Sequence, residues 1–486
     1  MNRTRYIPSL IALVAAGFMA AAAKADSPST PTTPPLLTAE QARQDLDTLE
    51  RSLRSAHYDL YVYLPREQYD AAFRQVRARL NKPMASLDLV REFQPLVALG
   101  RIGHARIEFP VGAYIAAAQN GGTILPFDIR TQEDRVFVTH SYLPGSNIAP
   151  GAELLTLGGM PAKKLVDQVS RFVSGERPYM VSAQLERFFP RWLWLMRGDI
   201  RDMDVRGIGV DGTPFTARIN GLPIGEAEAQ KSGWTEALSA REVRIIDAKT
   251  AYLRPGPFYH DGGGDSMDVG PFRQFIDAAF AKILEAGSTR LIVDLRSNPG
   301  GDNSFSDVMV AWFADRPFRF SDDFSIKASP EIREQFRQTL AGTRDDTNIV
   351  RRMANLIAQR KDGERVRVEL ENTAPHPRRF TGQVYVLVDR HSYSNATSVA
   401  AMIQDYGFGT IVGEETADLP TSYASSAQFA LPHSGISVTY PKGYFVRPNK
   451  DKSLRGVVPD LIIAPELFAQ GPDAVLKKTL ALIENR

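Results

Sequence analysis

The chain has 486 residues, 43% hydrophobic and 23% charged, a soluble globular balance in a length that exceeds one hydrophobic core, so two or three domains are expected. Lysine and arginine number 58 against 56 acidic residues, and three of the basic ones (Arg3, Arg5, Lys24) lie in an acid-free stretch at the start; the rest is close to neutral, which gives no charge-driven reason to bind nucleic acid or an anionic membrane. The absence of cysteine excludes disulfides, thiolate metal sites and a cysteine nucleophile.

Residues 1–25 read as a secretory signal peptide, with Arg3 and Arg5 ahead of an apolar run and small residues at Ala23 and Ala25. An uncleaved anchor is the alternative, but the run is short for a membrane span. Residues 26–37 form a Pro/Ser/Thr linker. Helical patterning begins at Thr38, where TAEQ reads as a capping box, and continues in segments over Arg66 to Leu80 and from Ser86, whose hydroxyl is placed to cap. Residues 38–118 are therefore expected to form an N-terminal helical domain, ending in LGRIGHARIEFP with strand-like alternation from Ile107 to Phe109.

Short strands follow, ILPFDIR and RVFVTHSYL, and then GAELLTLGGMPAKKLVDQV, which reads as a strand, a tight Gly158-Gly159 turn and a helix from near Pro161. Residues 119–235 resemble a PDZ-like domain on the strength of that run, with Gly158 where Asn is usual; a plain β-rich domain is the other reading. Residues 236–486 form a third unit: a strand pair from Arg241, the loop HDGGGDSMD with neither calcium nor phosphate-loop spacing, a helix over Phe272 to Ala286, and the strand RLIVDL. A charged helical insert over 329–363 reads as a surface insertion or a lid.

Two strand ends carry the chemistry. LIVDL runs into Asn298-Pro299-Gly300-Gly301, where glycine lets backbone N–H groups approach a developing oxyanion. Tyr385 to Thr416 reads as strand, turn, helix and strand, and Ser394 falls where the turn becomes the helix, among N–H groups without helical partners. Acyl transfer needs a nucleophile, a base and oxyanion donors. Ser392 is the rival nucleophile. Of the seven histidines, His104 stands in a Gly-flanked break, His391 lies three residues before Ser394, and the others have no distinguishing context.

LIVDLRSNPGGD, VYVLVDRHSYSNATSVAAMIQDYG, TIVGEET and RGVVPDLII occur in the order and spacing of the C-terminal processing, or tail-specific, serine protease family, which includes the tricorn core. The resemblance covers most of residues 40 to 470. It implies an α/β fold with a crotonase/Clp-protease-like catalytic core beside the PDZ-like β-rich domain and the N-terminal helical domain. It places the nucleophile on Ser394 and the oxyanion hole on the backbone N–H of Asn395 and of Gly300 or Gly301. Ala417-Asp418-Leu419-Pro420 holds no Lys where the Ser/Lys branch carries one, so the tricorn-like branch is implied, with His104 in RIGHARI as base and Ala105 where Thr is usual. Its acid is expected ahead of RGVVPD, where Ser453 stands instead; Asp451, Glu414 and Glu415 are the substitutes, and Thr397 occupies a frequent Glu position.

The expected protein is thus a periplasmic or secreted serine peptidase without cofactor or metal, acting on a protein or peptide substrate, with engagement of the substrate's C-terminus as one reading. No nucleic acid and no membrane after signal cleavage are expected as partners, and an oligomer is compatible with the sequence. Two other readings stay open: an inactive homologue that binds or scaffolds peptides through the PDZ-like domain, and an esterase, although SYSNA is not G-x-S-x-G.

Overall fold

A computed structural model describes residues 36–143, 145–260, 266–341, 349–464 and 473–484. The expected signal peptide, nearly all of the linker and the glycines of HDGGGDSMD lie outside the described residues, as does the centre of the 329–363 insert. Among the described residues 13 helices and 19 strands build a mixed α/β fold.

The sheet that matters most has the order β10-β11-β12-β15-β16-β19, formed by Glu242–Ile245, Thr250–Arg254, Arg290–Asp294, Gln383–Val388, Thr410–Gly413 and Leu461–Ile462. From β11 to β19 every pairing is parallel. Alternate residues of such strands point to opposite faces, and here both faces are covered. Leu291, Val293, Val384 and Val386 enter one core with the helices Gly270–Glu285, Asn303–Ala311 and Asn395–Tyr406. Ile292, Tyr385, Leu387 and Val412 enter a second with the helix Ala474–Glu484. This is why these strands read as unbroken apolar runs, and why both loops of interest leave the same end of the sheet.

The N-terminal helices follow the sequence, with one correction. Thr38 and Gln41 form the reciprocal capping box that starts the helix Ala39–Ala56. Ser86, however, is the first helical residue of Ser86–Ala98; Ala85 precedes it without a side-chain cap, and the Ser86 hydroxyl donates to Ser434 O instead. Strand character at Arg106–Ile107 (β1) is brief: Pro110 ends it and a helix runs from Val111 to Gln119.

The region after Gly121 holds an antiparallel sheet, β3-β4-β5-β7-β8 with β6 beside β5, over Phe127–Gln132, Arg135–Ser141, Glu153–Leu157, Asp202–Ile208, Pro214–Asn220 and Met160–Pro161. Gly158 and Gly159 both take positive φ (58° and 75°) between β5 and β6, the backbone of a tight hairpin turn that favours glycine, and the helix Ala162–Ser170 follows as expected. The sequence reading omitted the helix Pro178–Arg197, which the internal Pro190 and non-helical Phe188 disguise, and the helix Ile224–Ser239. The insert is helical at Pro330–Leu340 and Ile349–Ala358; Ile332, Phe336, Met353 and Ile357 pack into the same apolar core as Leu46 and Leu49 of the first helix. A surface insertion packed on the N-terminal helices describes it.

Candidate active site

Two loops at the carboxyl ends of neighbouring parallel strands β12 and β15 are tied to each other. Asn298, buried, donates from Nδ2 to Gly256 O (2.7 Å), accepts Gly300 N–H at Oδ1 (2.8 Å) and accepts Tyr393 N–H at its carbonyl (3.0 Å). Asp389 accepts Ser297 N–H at 3.0 Å and His391 N–H at 2.9 Å. These bonds fix the approach of Gly300 to the elbow. A β-carbon there would lie 2.8 Å from Ser394 Cβ and 2.7 Å from Asn395 N, at φ 90°. Only glycine fits that contact and that backbone.

Ser394 precedes the first turn of the helix Asn395–Tyr406 with φ 53° and ψ −123°. Such a conformation costs a non-glycine residue on the order of 1–3 kcal/mol and persists where the surroundings over-determine it. Here the Ser394 N–H donates to Asp418 Oδ2 at 2.7 Å, and Gly300 packs against the other side.

His104 reaches this serine from 290 residues upstream, with Nε2 3.3 Å from Ser394 Oγ. Its loop is anchored at Gly103, whose N–H donates to Glu176 Oε1 (3.0 Å) and whose carbonyl accepts from the Tyr393 hydroxyl (3.1 Å). The Tyr393 ring stacks on the imidazole, centroids 5.3 Å apart and planes 18° apart, so the residue beside the serine also carries the histidine. His104 is 6% exposed, and its Nδ1 has no hydrogen-bond partner among the described residues.

Burial sets the electrostatics. It lowers the His104 pKa to about 4, with the Glu176 carboxyl opposing the shift and Arg106 adding to it, so the imidazole is neutral near pH 7 and its Nε2 can accept a proton. It raises Asp418, 2% exposed, to about 7 against the opposing Leu419 and Ser394 N–H groups. Glu176 is likewise raised to about 7, first by burial and then by Asp418.

Backbone donors lie beside the serine. The Gly300 N–H is taken by Asn298, whereas the Gly301 and Asn395 N–H groups have no acceptor among the described residues. Phe258 N–H bonds Gly300 O at 2.9 Å, so the Gly301 N–H across that planar peptide points to the opposite side.

The other sequence candidates are held elsewhere. Ser392 is fully buried and donates to Leu295 O at 2.8 Å. His391 faces Glu186 (3.8 Å). Glu414 pairs with Arg130 and Arg390, Glu415 with Arg177 and Arg455, and Asp451 accepts Ser453 N–H and Oγ–H, so none of the three forms a bond or ion pair with His104. Thr397 donates to Ser392 O. Asp418 is absent from the sequence candidates: it stands 24 residues after Ser394, in the segment where the Ser/Lys branch carries its lysine. No cluster of His, Asp and Glu suited to a metal ion occurs among the described residues, and no described helix is long and apolar enough to cross a membrane.

Residues 265–463, which carry both strand-end loops, match the family described as Peptidase family S41. Among solved structures, mature CPAF complexed with lactacystin is similar at 15% identity and TM-score 0.62, over 87% of this chain and 94% of that one. Mature CPAF alone gives 15% and 0.61 over 87% and 92%. The photosystem II D1 C-terminal processing protease gives 16% and 0.43 over 88% and 94%. At these identities the CPAF likeness carries the fold; the peptidase assignment comes from the match over 265–463. The chain is a serine-type peptidase.

Proposed function

We propose that the protein is a periplasmic or secreted endopeptidase of the tail-specific type, with Ser394 as nucleophile and His104 as base, on a crotonase-like core beside a PDZ-like domain. One observation carries the reading: the strained Ser394 at a helix N-terminus stands 3.3 Å from the Nε2 of a buried, neutral histidine. Nε2 takes the hydroxyl proton as Oγ attacks the scissile carbonyl. The tetrahedral oxyanion is held by the N–H groups of Asn395 and Gly301, which need no reorganisation to receive it. His104 then gives its proton to the leaving amine, and water repeats the sequence to release the acyl group. A PDZ-like sheet edge would present the substrate's end as an added strand.

Labelling by a serine-reactive fluorophosphonate tests the assignment. Wild type should label, Ser394→Ala should not, and His104→Ala should label at least about 10²-fold more slowly. Equal labelling of wild type and Ser394→Ala would remove Ser394 from the mechanism. For the tail-specific part, a peptide with a free C-terminal carboxylate should be cleaved faster than its amide; equal rates would sink it.

A further inference from the structure

Asp418 takes part in none of the steps above, yet it is joined to both reacting partners. One carboxylate oxygen, Oδ2, accepts the Ser394 N–H at 2.7 Å and stands 3.9 Å from His104 Nε2. The other, Oδ1, accepts the Leu419 N–H at 2.9 Å, which fixes the carboxylate plane. Glu176 lies close enough to act on His104 electrostatically, but its bond goes to the Gly103 backbone. The Nδ1 nitrogen, through which a serine-protease histidine is ordinarily oriented, has no hydrogen-bond partner among the described residues. The carboxylate paired with this imidazole therefore sits on the side of the nitrogen that faces the serine.

We propose that Asp418 is a positioning residue for acylation: it holds the Ser394 backbone in its positive-φ conformation, and its negative charge stabilises the imidazolium formed when Nε2 takes the serine's proton. The inference rests on the reading of Ser394 and His104 given above. No proton goes to Asp418 in this step; the O–H bond of Ser394 breaks, the N–H bond of His104 forms, and the carboxylate stays ionised beside the new charge. An amide in its place keeps the size and one acceptor oxygen while removing the charge.

The test uses the full chain and rates of fluorophosphonate labelling between pH 5 and 9. Asp418→Asn should keep the wild-type circular dichroism and label roughly 10²–10³-fold more slowly. Its pH profile should also move. The groups facing His104 are Asp418, Glu176, Arg106 and Tyr393. With Asp418 raised to about 7 by burial, the wild-type acid limb is expected near there. In Asp418→Asn it should fall toward the value of about 4 that burial gives His104. Formate should partly restore labelling of Asp418→Ala, since a small carboxylate can enter the vacated space. That rescue decides the matter if the Asn variant does not fold: restoration supports the inference and none overturns it. Labelling of Asp418→Asn within threefold of wild type, with an unmoved acid limb, overturns it while Ser394→Ala remains blank. Failure of wild type itself to label overturns the underlying reading instead.

Discussion

Asp294 and Asp418 are both buried carboxylates beside strands of the same parallel sheet, and their surroundings treat them oppositely. Burial alone would raise Asp294, but Arg296 and then Arg254 outweigh it and hold its pKa below the ordinary carboxylate value. It accepts from Arg296 Nε (2.9 Å), Arg254 (3.2 Å) and the Tyr252 hydroxyl (2.7 Å). Asp418 receives two backbone N–H groups and faces a neutral imidazole, with no cationic partner among the described residues, and is raised to about 7. A buried carboxylate held by arginines is structural; one that faces only an imidazole beside a nucleophile, once ionised, puts its charge next to the chemistry.

The largest effect that would sharpen this contrast is on stability. Arg296→Ala should destabilise the fold by about 3–5 kcal/mol, because it strips a cation from a buried carboxylate. Denaturant unfolding measures it, and the protein that remains folded should label with fluorophosphonate at the wild-type rate. A loss below about 1 kcal/mol would mean that Asp294 does not depend on its arginines, and the contrast with Asp418 would dissolve.

Next comes the loop that starts just after Asp294 and ends against Ser394. Gly300→Ala would put a methyl within 2.6 Å of Tyr393 O and 2.7 Å of Asn395 N, at a φ of 90°. The loop must shift, and with it the Gly301 N–H. Labelling should fall by roughly 10²–10³-fold, the loss typical of one oxyanion donor, with the unfolding midpoint changing much less than in Arg296→Ala. Unchanged labelling would detach this loop from the chemistry.

Which parts of this were legible in the sequence depends on the range of the signal. The capping box at Thr38, the apolar strand runs at Arg290–Asp294 and Gln383–Val388 and the Gly158-Gly159 turn are local, written in periodicity and turn chemistry, and the structure has them. The meeting of Ser394 and His104 is not local. It was reached through a resemblance of motifs, across 290 residues that no local pattern spans; the structure sets His104 Nε2 3.3 Å from Ser394 Oγ. The acid was sought near Asp451, Glu414 and Glu415, all of which answer to arginines or to Ser453. Asp418 escaped because its environment, not its neighbours in sequence, distinguishes it: nothing in ADLP says that this carboxylate is buried without a cation. The helix Pro178–Arg197 escaped for a different reason, since Pro190 and a break at Phe188 interrupt the pattern that local reading relies on.

The pH dependence of stability bears most directly on the contrast. The Asp418 pKa, raised to about 7, means that the folded state binds this proton more tightly than the unfolded chain does. That contribution is fully present below the ordinary carboxylate pKa near 4 and is lost as pH rises through about 7. Asp418→Asn cannot lose it, so relative to wild type the variant should gain stability on going from pH 4 to pH 8. Asp294→Asn should behave in the opposite sense, because a lowered carboxylate stabilises the fold above its unfolded pKa: that variant loses ground as pH rises from 3 to 6. Thermal unfolding of the two variants across pH 3 to 8 measures both slopes. Parallel slopes would mean that the two aspartates share one environment in solution, and Asp418 would then lose the arginine-free setting on which its role beside His104 depends.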